Sequence, residues 1–338
     1  MKMGVFLSVI LWAWVLTVGA KNIEPRFDGK KITNDVFWNT AEGMPLYSQG
    51  GGIFRYPDPD TGRLRYYWYG VRYAEAVRYR EDPSVTYPAC TFEAVTCYSS
   101  DDLINWYYEG DVLTREEVDC YGRAGWVGRM GVAYLEAWNQ YVLVVQHDNG
   151  VLFALSHTPN GRFTWHRRIT MEKIIGTPNT GDQTVFVDED TRKPYLIYSY
   201  GRGRNRIYVS EIGIRDGQVD LLDCTQVFKG AGREGNCLFK YEGRYYMCAS
   251  NLYGWDSSFA YYMVANDIRG PYEPVNDMKI MPGCAEDYAH VTQTGFFYTV
   301  RGSRKETVVY CGDRWAEFAG NGWGYNHWCP ICLLYTSD

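Results

Sequence analysis

A pair of strands recurs five times along the 338-residue chain, and this repeat restricts the possible folds more than any other feature. Each unit has small or polar residues at its start, an apolar strand, a turn rich in charged residues, and a second strand. The units begin at Gly50, Gly128, Gly181, Glu234 and His290. After a longer first interval they repeat every roughly 50 to 60 residues, which leaves room for about four strands each. This period predicts an all-β fold, a five-bladed β-propeller; a sandwich or jelly roll would explain the strand alternation but not the period.

The composition agrees with a strand-rich protein. Aromatic residues make up 17% of the chain, including 30 Tyr and 12 Trp, and such residues favour strands. Their flat rings also suit stacking on the apolar faces of sugar rings. Beyond the N-terminus no convincing amphipathic helix pattern is present. The net charge is −6 and no basic cluster occurs, which argues against a nucleic acid partner.

The N-terminus has the features of a secretory signal peptide. Lys2 precedes an almost wholly apolar run over residues 4–16, and small residues at 18–20 fit a cleavage site. We therefore predict a signal peptide over 1–20, a mature start near Lys21, and a periplasmic or secreted protein. An N-terminal membrane anchor is the alternative. No other stretch is apolar enough to cross a bilayer, so no membrane association is expected after cleavage.

The rest of the chain is predicted to hold one propeller domain over 21–330 and a short tail over 331–338. The tail does not resemble a closing strand pair, so we expect it to be truncated or foreign to the fold, and poorly packed. The ten cysteines permit disulfides in an exported protein, but most lie in strand-like runs where buried thiols are equally expected.

The starts of the inner strands carry the candidate catalytic residues. In a propeller these positions converge from all blades onto the axial channel. Glu234 and Asp182 are the two carboxyl groups among them, and Gln293 belongs to the same set. Glycoside hydrolysis uses a carboxylic acid to protonate the leaving oxygen, and a second group on the opposite face. Glu234 fits the acid, and Asp182 fits a neighbour that raises its pKa; alternatively, each is a rim carboxylate that pairs with Arg233 or Arg204.

Other polar and aromatic residues at the same end of the blades are candidates for holding a sugar. Aromatic side chains on loops just after inner strands could form a stacking wall, although packing between blades is the alternative for each. Carboxylates nearby could bond to sugar hydroxyls. The predicted substrate-binding residues are Gln49, Arg129, Tyr253, Trp255, Asp313 and Trp315.

Several motifs resemble those of glycoside hydrolase family 43, the five-bladed propeller glycosidases. The third unit, GDQTVFVDEDTRKPYLIYS, and the fourth, REGNCLFKYEGRYYMCASNLYGW, are similar to the motifs of the corresponding blades. The segments GGGIFRY, YYWYG and CGDRW resemble the branch that contains exo-β-1,3-galactanases. The resemblance extends from about Gly50 to Trp315 and is most specific in the fourth unit.

The resemblance implies that Glu234 is the general acid and that Asp182 modulates its pKa and orients the substrate. Most of the family has an aspartate base on the first blade, where this chain has only glycines. The galactanase-like branch lacks it too, and the resemblance implies that Gln293 positions the water instead. That branch has a sugar-binding glutamate ahead of an arginine on the second blade, where this chain has Gly128-Arg129. The chain therefore differs from that branch at a sugar-contacting position.

His290 is the predicted metal residue. The resemblance implies an axial-channel histidine near a bound cation, often calcium, whereas a hydrogen-bonded core histidine is the alternative. No cofactor is expected to be required, although a structural Ca²⁺ in the channel is possible. Calcium prefers oxygen ligands, so one histidine predicts it poorly.

Taken together, the sequence predicts a secreted, monomeric, inverting exo-glycosidase. Its expected partner is an oligosaccharide or polysaccharide, from which it removes terminal galactose-type residues. α-L-Arabinofuranosidase and β-galactofuranosidase activities are alternatives on the same fold. A non-catalytic carbohydrate-binding propeller is an alternative of another class.

Overall fold

Each repeat unit folds as an antiparallel sheet whose strands lie side by side in chain order. The computed structural model describes residues 31–85, 89–120, 126–148, 150–253, 258–281, 292–314 and 326–331. Within these ranges there are four sheets of four strands and a fifth of three. The two-residue turn at Glu242 and Gly243 shows why consecutive strands pair: both residues have positive φ, at 47° and 75°, which matches the twist of a tight hairpin.

The strand bounds follow the five units. The first sheet contains β1 Gln49–Pro57, β2 Leu64–Tyr73, β3 Phe92–Ser100 and β4 Tyr107–Thr114. The second contains β5 Val127–Leu135, β6 Gln140–His147, β7 Gly150–Ser156 and β8 Thr164–Ile169. The third contains β9 Thr180–Val187, β10 Pro194–Tyr200, β11 Arg206–Arg215 and β12 Gln218–Lys229. The fourth contains β13 Glu234–Tyr241, β14 Arg244–Ser250, β15 Tyr261–Ala265 and β16 Lys279–Ile280, and the fifth β17 Gln293–Arg301, β18 Glu306–Asp313 and β19 Asn326–Ile331. Short helices are α1 Ala74–Glu81, α2 Arg115–Cys120, α3 Glu172–Ile175 and a 3-10 turn at Glu136–Trp138.

The first strand of every sheet lies at the centre of a closed ring. Strand β1 contacts β5, β5 contacts β9, β9 contacts β13, β13 contacts β17, and β17 returns to β1. These inner strands are buried on both faces over most of their length, which explains why they read as nearly continuous apolar runs. The predicted five-bladed β-propeller is therefore confirmed, and the strand starts do meet at one end of the axis.

The N-terminal segment is fastened to the last strand. Asn34 donates its side-chain amide to the carbonyl of Trp328 at 2.9 Å and accepts from the amide of that residue at 3.0 Å. The Trp328 ring lies 5.0 Å from the ring of Trp38 and 4.8 Å from that of Trp68, measured between centroids. This aromatic cluster joins the first and fifth blades, so packing of distant chain segments helps to hold the ring closed.

The chain ends are described only in part. Strand β19 runs to Ile331, which pairs with Val308, one residue beyond the predicted domain limit at 330. The predicted signal peptide over 1–20 and residues 332–338 of the predicted tail lie outside the described residues. Four of the cysteines whose side chains are described are buried in the strands, namely Cys97, Cys237, Cys248 and Cys311. None of the described helices is both long and apolar enough to cross a membrane.

Candidate active site

The structure brings six of the predicted residues together at one end of the axis. Each of the five blades supplies one from the start of its inner strand, and β18 of the fifth blade supplies the sixth from its end. These residues are Gln49, Arg129, Asp182, Glu234, Gln293 and Asp313, and all are buried. Polar side chains of these types are seldom buried without partners, so their contacts define what the site can do.

Glu234 is the first residue of β13, and its carboxyl group is held at both oxygens. Arg204 donates to Oε2 at 2.5 Å, and the Gln293 amide donates to Oε1 at 3.0 Å. Only 4% of the residue is exposed. Burial, followed by the negative charge of Asp182, raises the pKa of Glu234 to about 7, although Arg204 and Arg129 oppose the shift. A carboxyl group with such a pKa is partly protonated near neutral pH and is suited to act as a general acid.

Asp182 is held against the start of β13. Its Oδ2 accepts from the backbone N–H of Gly235 at 2.6 Å and lies 3.3 Å from Nε of Arg129. The side chain of Asn236 donates to the Asp182 carbonyl at 3.2 Å. Asp182 is therefore fixed beside the fourth blade, next to the predicted acid. The alternative prediction, in which Asp182 pairs with Arg233 or Arg204 at the rim, does not match the structure, because Asp182 pairs with Arg129.

Gly235 lets the acid-bearing strand approach its neighbours closely. Its φ is +58°, and an added Cβ would lie 2.6 Å from the carbonyl oxygen of Thr294 on the fifth blade. Left-handed backbone and lack of space both call for glycine here. The same residue donates the hydrogen bond that orients Asp182, so its conformation couples the backbone to the site.

We expect Gly235→Ala to destabilise the fold and to lower activity. The left-handed conformation alone costs an alanine about 1 to 2 kcal/mol, and the close approach to Thr294 adds to this. Gly243→Ala is the matched control, because Gly243 has a φ of +75° and no atom within 4 Å of an added Cβ. Urea unfolding and activity assays should show a larger loss of stability for the first variant and a loss of activity for it alone. Equal effects of the two variants would contradict this role.

Arg129 joins three blades at the axis. Its guanidinium donates to Oδ2 of Asp313 at 3.0 Å, to Oε1 of Gln293 at 2.8 Å and to the carbonyl of Thr294 at 3.3 Å. It also lies 3.3 Å from Asp182. These contacts connect the second blade with the third and the fifth. Arg129 was predicted as a substrate-binding residue. In the structure its guanidinium N–H groups donate to protein atoms.

Gln293 lies beside Glu234 and not across from it. Its Oε1 accepts from Arg129 while its Nε2 donates to Glu234, so both ends of the amide are held. The water-positioning role predicted for Gln293 requires a group on the opposite face of a sugar. Two atoms 3.0 Å apart leave no room for a sugar between them. Gln293 lies beside the acid because Arg129, on another blade, binds its Oε1 and orients the amide.

Asp313 and Gln49 are also engaged by protein groups. Asp313 accepts from Gly50 N–H at 3.0 Å in addition to Arg129, and burial raises its pKa against the effect of that arginine. The Gln49 side chain donates to the carbonyl of Arg314 at 2.9 Å. Both residues were predicted to bind substrate. Those roles stay predictions, and the contacts described here join the first blade to the fifth.

Trp126 was not among the predicted residues, yet it explains the glycine on the second blade. A Cβ at Gly128 would lie 2.2 Å from the Trp126 ring and 2.6 Å from Oε1 of Gln146. The ring therefore takes the space that a longer side chain at this position would need. The sequence signal was a tryptophan two residues before the glycine at a strand start.

Arg204 was considered only as a partner for a rim carboxylate. It does pair with Glu234, but at the buried position predicted for the acid and not at the rim. Its turn, GRGRNR, carries no recognisable ligand-binding motif in the sequence. Only the arrangement of the third blade against the fourth brings Arg204 to the acid.

The remaining predicted residues lie at the edge of the site or outside the described ranges. Tyr253 is 55% exposed, and its hydroxyl accepts from the side chain of Asn251 at 3.1 Å. It is placed on the loop after β14, where stacking on a ligand is open to it. Trp255, Trp315 and His290 lie outside the described residues, so their predicted roles stay predictions.

The described residues do not fit a metal site. Across the described ranges, no group of three or more His, Cys, Asp or Glu side chains is arranged to hold an ion. At the axis, the carboxylates of Asp182 and Asp313 contact the guanidinium of Arg129. This arginine supplies the positive charge beside these two carboxylates.

Comparisons with known proteins agree with this geometry. A model of the glycosyl hydrolases family 43 matches residues 56–325. A search of curated proteins found no match. An exo-β-1,3-galactanase from Clostridium thermocellum has 27% sequence identity and a TM-score of 0.69, over 90% of this chain and 63% of that one.

Two further solved structures share the fold. An exo-β-1,3-galactanase variant from Phanerochaete chrysosporium with β-1,3-galactotriose has 23% identity and a TM-score of 0.68, over 89% of this chain and 64% of that one. A family 43 β-1,3-galactosidase with galactodeoxynojirimycin has 20% identity and a TM-score of 0.69, over 89% of this chain and 95% of that one. The chain thus spans less than two thirds of the length of the two galactanases.

Proposed function

The chain belongs to the glycosyl hydrolases family 43, and on that premise we propose that it is an exo-acting glycosidase that releases terminal galactose-type residues from an oligosaccharide or polysaccharide. The observation that carries the proposal is the buried Glu234, whose pKa is raised to about 7 at the axial end of the propeller. A general acid needs this combination of burial and partial protonation. The likeness to the Clostridium thermocellum exo-β-1,3-galactanase supports the galactose class.

Glu234 protonates the oxygen of the departing group in this proposal. Asp182 keeps the acid protonated through its negative charge, which is the second contribution to the raised pKa after burial. Arg129 holds Asp182 in place, 3.3 Å from its Nε. In this proposal Glu234 donates the proton, Asp182 raises the pKa of Glu234, and Arg129 fixes the position of Asp182.

We further propose that hydrolysis proceeds with inversion. Asp182, the neighbouring carboxylate, is bound to Gly235 N–H and Arg129 and is not poised to attack a sugar. Gln293 then positions the water, as an amide or its imidic-acid tautomer. Inverting enzymes hold the two groups about 6.5 to 9.5 Å apart. The 3.0 Å hydrogen bond between Gln293 and Glu234 therefore has to open when a sugar enters.

A panel of glycosides tests this function. β-1,3-Galactobiose, β-1,3-galactotriose, and nitrophenyl β-galactopyranoside, β-galactofuranoside and α-L-arabinofuranoside are incubated with the protein. We expect galactose to be released from the β-1,3-galactosides, with the α-anomer appearing first in proton NMR. First appearance of the β-anomer would overturn inversion and leave the activity standing.

Other outcomes of the panel separate the alternatives. Release of arabinose alone would move the protein to the arabinofuranosidase class. Calorimetric binding of galactotriose without hydrolysis of any substrate would overturn the enzyme proposal and favour a sugar-binding propeller. The variant Glu234→Gln, assayed on β-1,3-galactobiose, is the control for trace activity from the expression host.

Three further properties belong to the same proposal. The signal-like residues 1–20 support export and a periplasmic or secreted location. We propose that no cofactor is required, in line with the positive charge that the buried Arg129 supplies beside Asp313. We also propose a monomer that acts on a carbohydrate and binds no nucleic acid, in line with the net charge of −6.

A further inference from the structure

The turn between β10 and β11 places Arg204 at the acid through contacts with two blades. Nε of Arg204 donates to the carbonyl of Gly181 at 3.1 Å, and its backbone carbonyl accepts from Arg233 N–H at 2.8 Å. A Cβ at Gly181 would lie 2.6 Å from Cγ of Arg204, so the aliphatic part of the side chain packs on a residue that must be small. The position of Arg204 is therefore built into the fold.

The contact between Arg204 and Glu234 conflicts with the chemistry of a general acid. A general acid has to be protonated, and in the structure both oxygens of Glu234 accept hydrogen bonds, from Arg204 and from Gln293. Donors on both oxygens favour the ionised form. The contact with the positively charged Arg204 is therefore strongest while Glu234 is ionised and weakens when the acid takes up a proton.

The side chain of Arg204 is exposed enough to move away from Glu234. Its side chain is 38% exposed, whereas that of Glu234 is 5% exposed. An exposed guanidinium can move into water at little cost, because water replaces its hydrogen bonds.

We propose that Arg204 is a positioning residue for Glu234, holding its carboxylate in the contact seen here and releasing it when the acid takes up a proton. The proposal rests on the assignment of Glu234 as the general acid. It goes beyond that assignment, because it adds a residue from the third blade that controls when the acid is protonated. Arg204 acts through Glu234 and is not itself assigned a contact with the substrate.

The expected direction follows from the charges around Glu234. Asp182 on β9 raises its pKa, whereas Arg204 and Arg129 lower it, as does the hydrogen bond from Gln293 on β17. Removing Arg204 therefore raises the pKa further. Activity that requires a protonated Glu234 is lost as the pH rises through this pKa, so the loss should occur at a higher pH in the variant.

The test compares Arg204→Met with Arg202→Met in pH profiles of kcat/KM on a β-1,3-galactoside. Arg202 lies exposed on the same turn, so its variant removes the same formal charge away from the acid. We expect the descending limb to move up by about 1 pH unit in Arg204→Met, in line with the effect of a nearby opposite charge. Arg202→Met should leave the descending limb in place. Arg204→Lys keeps the positive charge, so its limb should lie closer to that of the wild type than the limb of Arg204→Met does.

Carbon-13 NMR measures the pKa of the Glu234 side chain directly, so the test does not depend on activity alone. A rise in its pKa in Arg204→Met, without such a rise in Arg202→Met, supports the proposal. An unchanged pKa, with activity lowered equally at every pH, would overturn it and leave Arg204 a purely structural role. A further outcome separates this proposal from the proposed function. If Glu234→Gln still shows the descending limb, but the pKa of Glu234 rises in Arg204→Met, the general-acid assignment fails and the contact inferred here stands.

Discussion

Glu234→Gln is expected to lower kcat on β-1,3-galactosides by about 10²- to 10⁴-fold, the usual contribution of general acid catalysis. Glutamine keeps the size of the side chain and its ability to accept from Arg204, but it cannot deliver a proton. The buried carboxyl of the wild type has its pKa raised to about 7, so it is protonated below that pH. Wild-type activity should therefore fall as the pH rises through about 7, and the variant should lack this limb. Steady-state kinetics between pH 4 and about 9 measure both effects.

A substrate with a good leaving group provides the control for this variant. Dinitrophenyl β-galactoside needs little protonation of its leaving oxygen, so Glu234→Gln should cleave it nearly as fast as the wild type does. Such a result would show that the site is intact and that only proton donation is lost. If the variant loses both substrates equally, Glu234 has a structural role; if it loses neither, the assignment of the acid is wrong.

Arg129→Met is expected to destabilise the protein by about 3 to 5 kcal/mol, the usual cost of leaving a buried charge without its partner. Asp182 and Asp313 would then lie buried at the axis without the cation that both contact. The orientation of Gln293 would be lost as well, since its Oε1 accepts from the same guanidinium. Urea unfolding at pH 7 measures the stability, and activity should fall with it.

Arg192→Met is the matched control for the loss of an arginine. Arg192 is 64% exposed in its side chain and lies 3.6 Å from Glu136, which is a surface ion pair. Its removal should cost less than about 1 kcal/mol. Adding Asp313→Asn to Arg129→Met should recover part of the stability, because one of the uncompensated charges is removed. A cost below 1 kcal/mol for Arg129→Met itself would contradict the role of this arginine in joining the blades.

The choice of Glu234 from the sequence succeeded in locating a buried carboxyl for a physical reason. A strand start in a repeat of fixed period must face the axis, so the carboxylates at two such starts had to be neighbours. Asp182 and Gln293 reached the same place by the same rule. The pattern could not supply their partners, because the residues that contact them come from other blades. Gln293 shows the limit: it was expected across from the acid and lies against it.

Local sequence therefore determined the elements and their convergence. Alternating apolar residues, tight turns and glycine at strand starts act within a few residues of one another, and a fivefold repeat of them leads to a propeller with one axial site. The pairing of Arg204 with Glu234, the joining of three blades by Arg129 and the placement of Trp126 over Gly128 were decided only by the tertiary structure. Two of these contacts join residues on different blades, and in all three the geometry is set by how the chain closes and packs into a ring.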